Sequence, residues 1–137
     1  RFGDPETQAI LPVIKNDLLE ILWACAKGNL QGVQVDWFGN TAVCVVIAAG
    51  GYPGNFRKGD PILGLDQAQM IPGVTVFHAG TGRENGSVKT AGGRVLAVTA
   101  VGNSLREAVS RAYQGADLVH FQDAHFRRDI AQRALQG

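Results

Sequence analysis

Arg94-Val95-Leu96-Ala97-Val98-Thr99-Ala100-Val101, followed after Gly102-Asn103 by Ser104-Leu105-Arg106-Glu107, is the passage on which the reading of the fold turns. Its first half is the strongest period-two segment of the chain and reads as a strand. Its second half is a capping box, in which serine and glutamate satisfy each other's free backbone donors, so a helix begins at Leu105. Leu105, Ala108, Val109 and Ala112 recur at three- and four-residue steps, an apolar stripe for the sheet, and Gly115 is placed to end the helix.

Upstream, Thr41-Ala42-Val43-Cys44-Val45-Val46-Ile47-Ala48-Ala49 is a nearly unbroken apolar run rich in β-branched residues and predicts a buried strand. Residues 74–79 and 87–90 predict two more, and Asn85-Gly86 between them favours a tight hairpin. The expected class is therefore α+β: one antiparallel sheet of about four strands, with the capping-box helix and the leading helices against one face. Residues 60–72 carry little signal beyond one helical turn near residues 66–70. Downstream, residues 119–121 read as a short extended piece, and Asp129 is placed to cap a final helix through Leu135.

The chain begins Arg1-Phe2-Gly3-Asp4-Pro5-Glu6-Thr7-Gln8. Asp4 can cap a helix that Pro5 opens, with Glu6 near its positive end, and Pro12 then interrupts the helical pattern. Asn16 or Asp17 can cap the next helix. There Leu18, Leu19, Leu22, Cys25 and Ala26 share a face expected to pack on the core, Trp23 is expected in core or interface, and Gly28 ends the helix. Residues 29–40 are polar and irregular.

With 137 residues the chain suits one compact domain and needs no disulfide staples. Net charge is +1, the cations are dispersed, and no apolar run reaches the roughly 18 residues of a membrane span, so neither nucleic acid nor membrane is expected as a partner. Cys25 and Cys44 sit among apolar neighbours and read as small buried hydrophobes in a reduced, cytoplasmic setting. His120, His125, Arg127 and Arg128 lack metal-ligand spacing, and no metal site is expected in this chain. The 18 glycines fall in turn-like groups, read as tight turns and close approach of backbone to ligand.

Some residues invite a chemical reading beside a plain one. Arg1 can hold an anion bidentately next to the carboxylates of Asp4 and Glu6, or be a surface arginine before a capped helix. Gly50-Gly51-Tyr52-Pro53-Gly54 follows a central strand, where sites are often built, or is simply a turn. Arg57 and Lys58 can face a phosphate or form a solvated loop. His78, closing its strand before Ala79-Gly80-Thr81, can bind phosphate or ribose or be a structural hydrogen-bonder. Arg94 places a cation at a strand mouth.

Five ordered blocks add to this. The opening octapeptide resembles the signature of the phosphoribosylamine-glycine ligase family, ATP-grasp enzymes of purine biosynthesis. Ala48-Ala49-Gly50-Gly51-Tyr52-Pro53-Gly54 with Arg57-Lys58-Gly59-Asp60, Val76-Phe77-His78-Ala79-Gly80-Thr81, Gly92-Gly93-Arg94-Val95-Leu96-Ala97-Val98-Thr99-Ala100 and Arg128-Asp129-Ile130 resemble the family's C-terminal third in the same order. The resemblance implies a division into residues 1–28, the end of an ATP-grasp domain, and 29–137, a C-terminal substrate-side domain like that of biotin carboxylase. It implies an ATP-dependent carbon–nitrogen ligase that joins glycine to 5-phosphoribosylamine through an acyl phosphate. The nucleotide clamp and magnesium ligands would lie in a missing upstream part, so that this piece alone is inactive. A first residue that is not Met, with no leader pattern, agrees with truncation. By the same resemblance Arg1, Asp4 and Glu6 are candidate catalytic residues, Gly50, Gly51, Tyr52 and Pro53 would line the acceptor pocket, and His78, Thr81 and Arg94 would take the sugar phosphate. Another ATP-grasp ligase or carboxylase, or a non-catalytic interaction module, are the alternatives.

Overall fold

In the computed structural model, which describes residues 2–137, the apolar run after Asn40 forms strand β1 (Thr41–Ala48). It is followed by β2 (Val74–His78), β3 (Thr81–Glu84), β4 (Ser87–Thr90) and β5 (Arg94–Gly102). The class is α+β with antiparallel pairing, but the strands expected in one sheet are shared between two. β5 lies between β1 and β2 in a three-stranded sheet, while β3 and β4 pair only with each other. Residues 81–84, which lie outside the strands expected from the sequence, are strand because Asn85 and Gly86 both take positive φ, 49° and 81°, and close a two-residue hairpin on them.

Alternation along the strands builds the core. Val45, Val98 and Val76 stand opposite one another across the sheet, as do Val43, Ala100 and Val74. All six are buried, with Ile47 and Leu96 fully enclosed beside them. Each such fully enclosed aliphatic side chain contributes about 1.5–3 kcal/mol relative to exposure.

Helix α4 (Leu105–Leu118) lies on this surface and presents Ala108, Ala112, Gly115 and Ala116, all buried. Its start is the expected one: the Glu107 N–H donates to Ser104 Oγ at 3.2 Å. The glutamate's return bond comes from the Asn103 N–H at 2.7 Å, one residue outside the box. Its end is not the expected one. Gly115 sits inside the helix, where a Cβ would meet Val98 Cγ1 at 2.9 Å and Val74 Cγ1 at 3.1 Å. The glycine serves close packing of helix on sheet rather than termination.

The amino-terminal helices depart further from expectation. α1 (Glu6–Ile10) begins after Pro5 with no side-chain cap, because the Asp4 carboxylate is turned to Gln8 and Arg94 instead. Pro12 falls in a 3-10 turn, Leu11–Val13, which ends the α1 pattern. α2 (Leu18–Ala26) is capped by Asp17, whose Oδ1 accepts from the Leu19 N–H at 2.8 Å. Asn16 instead ties the loop beyond, donating to the Gln34 carbonyl and accepting from the Asp36 N–H.

α2 buries none of its residues and does not pack on the core. Leu19 is 70% exposed and Trp23 62%, and Cys25 is exposed rather than buried, while Cys44 is half-buried. Helix α3 (Leu65–Gln69) supplies the single turn expected there. The last helix, α5 (Gln132–Gln136), starts without a side-chain cap, because the Asp129 carboxylate is taken by Arg127 at 2.6 and 2.9 Å.

Candidate functional site

The antiparallel register brings separate motifs to one end of the three-stranded sheet. The last residue of β1, Ala48, stands opposite Arg94, the first of β5, and the last of β2, His78, stands opposite Leu96. The segments that leave these strands therefore meet. Residues 49–54, the turn Ala79-Gly80, the pair Gly92-Gly93 and, across from them, Asp4 all border this end.

Backbone bonds fix the arrangement. Ala49 N–H donates to the Gly93 carbonyl at 2.8 Å, and Gly80 N–H donates to the Arg94 carbonyl at 2.9 Å. Ala91 and Gly92 both donate to the Gly80 carbonyl, at 2.7 and 3.0 Å.

The glycines here are occupied by the chain itself. A Cβ on Gly50 would strike Asp123, one on Gly93 would strike the Tyr52 ring, and one on Gly80 would meet the Arg94 carbonyl at 2.6 Å. Gly51 has φ near 90°, and a Cβ there would strike the Asn55 carbonyl. Their smallness is used to close loops on loops, so it is no sign of backbone left open for ligand. Tyr52 stacks edge-on with Phe56, ring centroids 6.1 Å apart, over Gly93.

Among the candidate side chains, His78 and Thr81 form a pair: His78 Nδ1 and Thr81 Oγ1 are 3.0 Å apart, both partly open to solvent. Arg94 is joined to Asp4, its Nη2 3.0 Å from Asp4 Oδ2 and its Nη1 donating to the Asp4 carbonyl at 3.1 Å. Gln8 Nε2 donates to the other Asp4 carboxylate oxygen at 2.9 Å. Glu6 is elsewhere: it lines an apolar groove of about 410 Å³ between α1 and α2, with Phe2, Ile10, Leu18, Ile21 and Val35. Arg1 lies outside the described residues. The structure thus gathers Asp4, Gly50 to Pro53, His78, Thr81 and Arg94 and leaves Glu6 apart.

Asp60 received no assignment from the sequence. It is only 7% exposed, and Arg57 donates to both its carboxylate oxygens, at 2.9 and 3.1 Å from Nε. The guanidinium holds the Asp60 carboxyl below its ordinary range. Asp60 also exchanges bonds with Thr90, whose Oγ1 accepts from its N–H at 3.1 Å. This clamp closes residues 49–60 onto β4, and Arg57 is not the free loop cation its neighbours suggested. The three-residue step from Arg57 to Asp60 was the available signal.

One further titratable group belongs to the setting. Burial pushes the Cys44 thiol up, so it is a poor nucleophile. Among the described residues no three His, Cys, Asp or Glu side chains converge closely enough to hold a metal ion.

Residues 42–133 match the family model of the phosphoribosylglycinamide synthetase C domain. The chain is 51% identical over 136 residues to a phosphoribosylamine–glycine ligase of Synechocystis sp., covering 98% of this chain and 32% of that protein. It is 47% identical over 138 residues to a chloroplastic phosphoribosylamine–glycine ligase of Arabidopsis thaliana, covering 99% of this chain and 26% of that one. The crystal structure of the phosphoribosylamine–glycine ligase of Thermotoga maritima superposes with a TM-score of 0.80 at 35% identity, over 96% of this chain and 32% of that one. The chain spans a third or less of the length of these relatives.

Proposed function

The chain belongs to the phosphoribosylglycinamide synthetase C-domain family, and we propose that it works as the C-terminal part of a phosphoribosylamine–glycine ligase. The observation that carries this reading is the convergence of Asp4, the loop at residues 50–53, His78, Thr81 and Arg94 at one sheet end, with the family match beneath it.

In the proposed reaction a glycine carboxylate oxygen takes the terminal phosphoryl group of ATP, releasing ADP. The amine of 5-phosphoribosylamine then attacks the acyl carbon and expels phosphate, leaving the amide. Such chemistry depends on placing two substrates and balancing charge rather than on a protein nucleophile. The His78–Thr81 pair supplies a ring nitrogen and a hydroxyl at a turn open to solvent, fit to take a sugar phosphate, with Arg94 as a neighbouring cation. The loop at residues 50–53 forms the wall beside them. Arg1, Asp4 and Glu6 belong to the same proposal through the signature; Asp4 lies directly at the site, whereas Glu6 lines the groove between α1 and α2.

The resemblance implies ATP and magnesium, and among the described residues no three His, Cys, Asp or Glu side chains converge to hold a metal ion. ATP and magnesium are assigned to the rest of the enzyme, and no step here passes through the metal. Residues 2–38 support a division of labour: they fall outside the matched family model and carry most of the exposed large apolar side chains, from Phe2 to Phe38. A helix as apolar and as unburied as α2 suits docking on further protein. The boundary itself comes from the resemblance, which assigns residues 1–28 to the end of an ATP-grasp domain and 29–137 to the substrate-side domain. No helix among the described residues is long and apolar enough to cross a membrane. Two free thiols suit the reducing cytoplasm, where we place the enzyme.

The test is ADP release by the complete enzyme and by this chain alone, with ATP, magnesium, glycine and 5-phosphoribosylamine. Release by the complete enzyme that needs both substrates, and none by the isolated chain, is expected. Sustained turnover by the isolated chain contradicts the division.

A further inference from the structure

Arg94 and Asp4 are 90 positions apart, yet both terminal guanidinium nitrogens of Arg94 engage that one aspartate, one its carboxylate and one its carbonyl. Each partner is also tied into a different part of the site. Asp4 is steadied by Gln8 on its remaining carboxylate oxygen. Arg94 accepts the Gly80 N–H through its own carbonyl, which anchors the turn carrying His78 and Thr81, and the Gly93 carbonyl just before it anchors the loop at residues 50–53. One ion pair thus connects the opening signature segment to both loops of the sheet end.

We propose that Asp4 and Arg94 form a positioning strut, which sets the signature segment against the two loops, and that Arg94 acts through Asp4 rather than by gripping the sugar phosphate. This rests on the reading of the site as the acceptor end of the ligase. A guanidinium grips phosphate best with two parallel N–H groups, and here the terminal pair is already committed. The side chains of Arg94 and Asp4 are 44% and 39% exposed, so the pair adds little to stability. What it contributes is relative placement, to which reactions between two bound substrates are acutely sensitive.

The test uses the complete enzyme with each substrate varied in turn, and compares Asp4→Ala, Arg94→Ala, Arg94→Lys, the double variant Asp4→Ala with Arg94→Ala, and the exchange Asp4→Arg with Arg94→Asp. The strut predicts that either single loss lowers kcat about tenfold while KM for phosphoribosylamine stays within about twofold. The double variant is then no worse than the poorer single, and the exchange recovers part of kcat. A raised KM for phosphoribosylamine in Arg94→Ala with kcat kept, or losses that multiply in the double variant, overturns the strut in favour of direct phosphate contact. Wild-type kinetics in both single variants overturns it as well. Thermal melts of each variant accompany the kinetics, and Arg94→Lys, which keeps charge and most of the packing, replaces any variant that melts early. Failure of the underlying reading shows separately, as a wild-type enzyme that releases no ADP with these two substrates.

Discussion

Gly115 and Val98 touch so closely that a single added carbon on the helix would lie 2.9 Å from a methyl group of the strand. Val98 is wholly buried and stiff at its branched β-carbon, so it has little room to yield. Gly115→Ala therefore sets a helix-propensity gain of about 1 kcal/mol against an overpacking cost of about 1–3 kcal/mol. The expected result is a net loss of about 1 kcal/mol in chemical denaturation, and an unchanged or raised midpoint would show the helix standing further off the sheet.

Acid should weaken the clamp that closes the loop before β4. The Asp60 carboxyl is held below its ordinary range by Arg57, so the folded state favours the ionised form. Its contribution is present above the unfolded-state value of about 3.9 and is lost as pH falls through the lower folded-state value. Urea midpoints measured from pH 6 downward should fall most steeply below about pH 4. In Arg57→Ala part of that slope should disappear, and an identical slope would mean that the pair does not feel the titration.

Much of the fold was legible because local chemistry and tertiary structure agree at β1, β5 and the start of α4. The Ser104 cap was readable since it needs only residues a few positions away. Gly115 was misread because a terminating glycine and a close-packing glycine look alike until the sheet beneath is known. Asp4 and Asp129 look like caps in the sequence for a similar reason. A carboxylate beside a helix start has a local use, yet Arg94 and Arg127 claim these two, and the first of those partners is far away in sequence. The candidate site was legible as a set of motifs, while its pairings were not. Nothing in the spacing of His78, Thr81 and Arg94 says that the first two hold each other and the third holds Asp4.

The α2 helix misled for a different reason, since its apolar face is real but borders the open groove beside α1 rather than the core. Leu19→Ser and Trp23→Ser should alter the denaturation midpoint of this chain alone by no more than about 0.5 kcal/mol, as expected of exposed positions. In the complete enzyme, where the proposal places α2 against further protein, the same changes should cost about 2 kcal/mol or more. Equal, small effects in both settings would leave the helix as an exposed face.

The claim at the centre of the account is that the end of the sheet marked by His78 and Thr81 takes the phosphate of phosphoribosylamine. It is tested most directly by steady-state kinetics of the complete enzyme carrying His78→Ala or Thr81→Val. A hydrogen bond to a charged group is worth about 1.5–3 kcal/mol, so either change should raise KM for phosphoribosylamine about tenfold or more while KM for glycine holds. Because the two side chains hold each other at 3.0 Å, the double variant should lose less than the product of the single losses. An unchanged KM for phosphoribosylamine in both single variants, with the fold intact, would contradict the account.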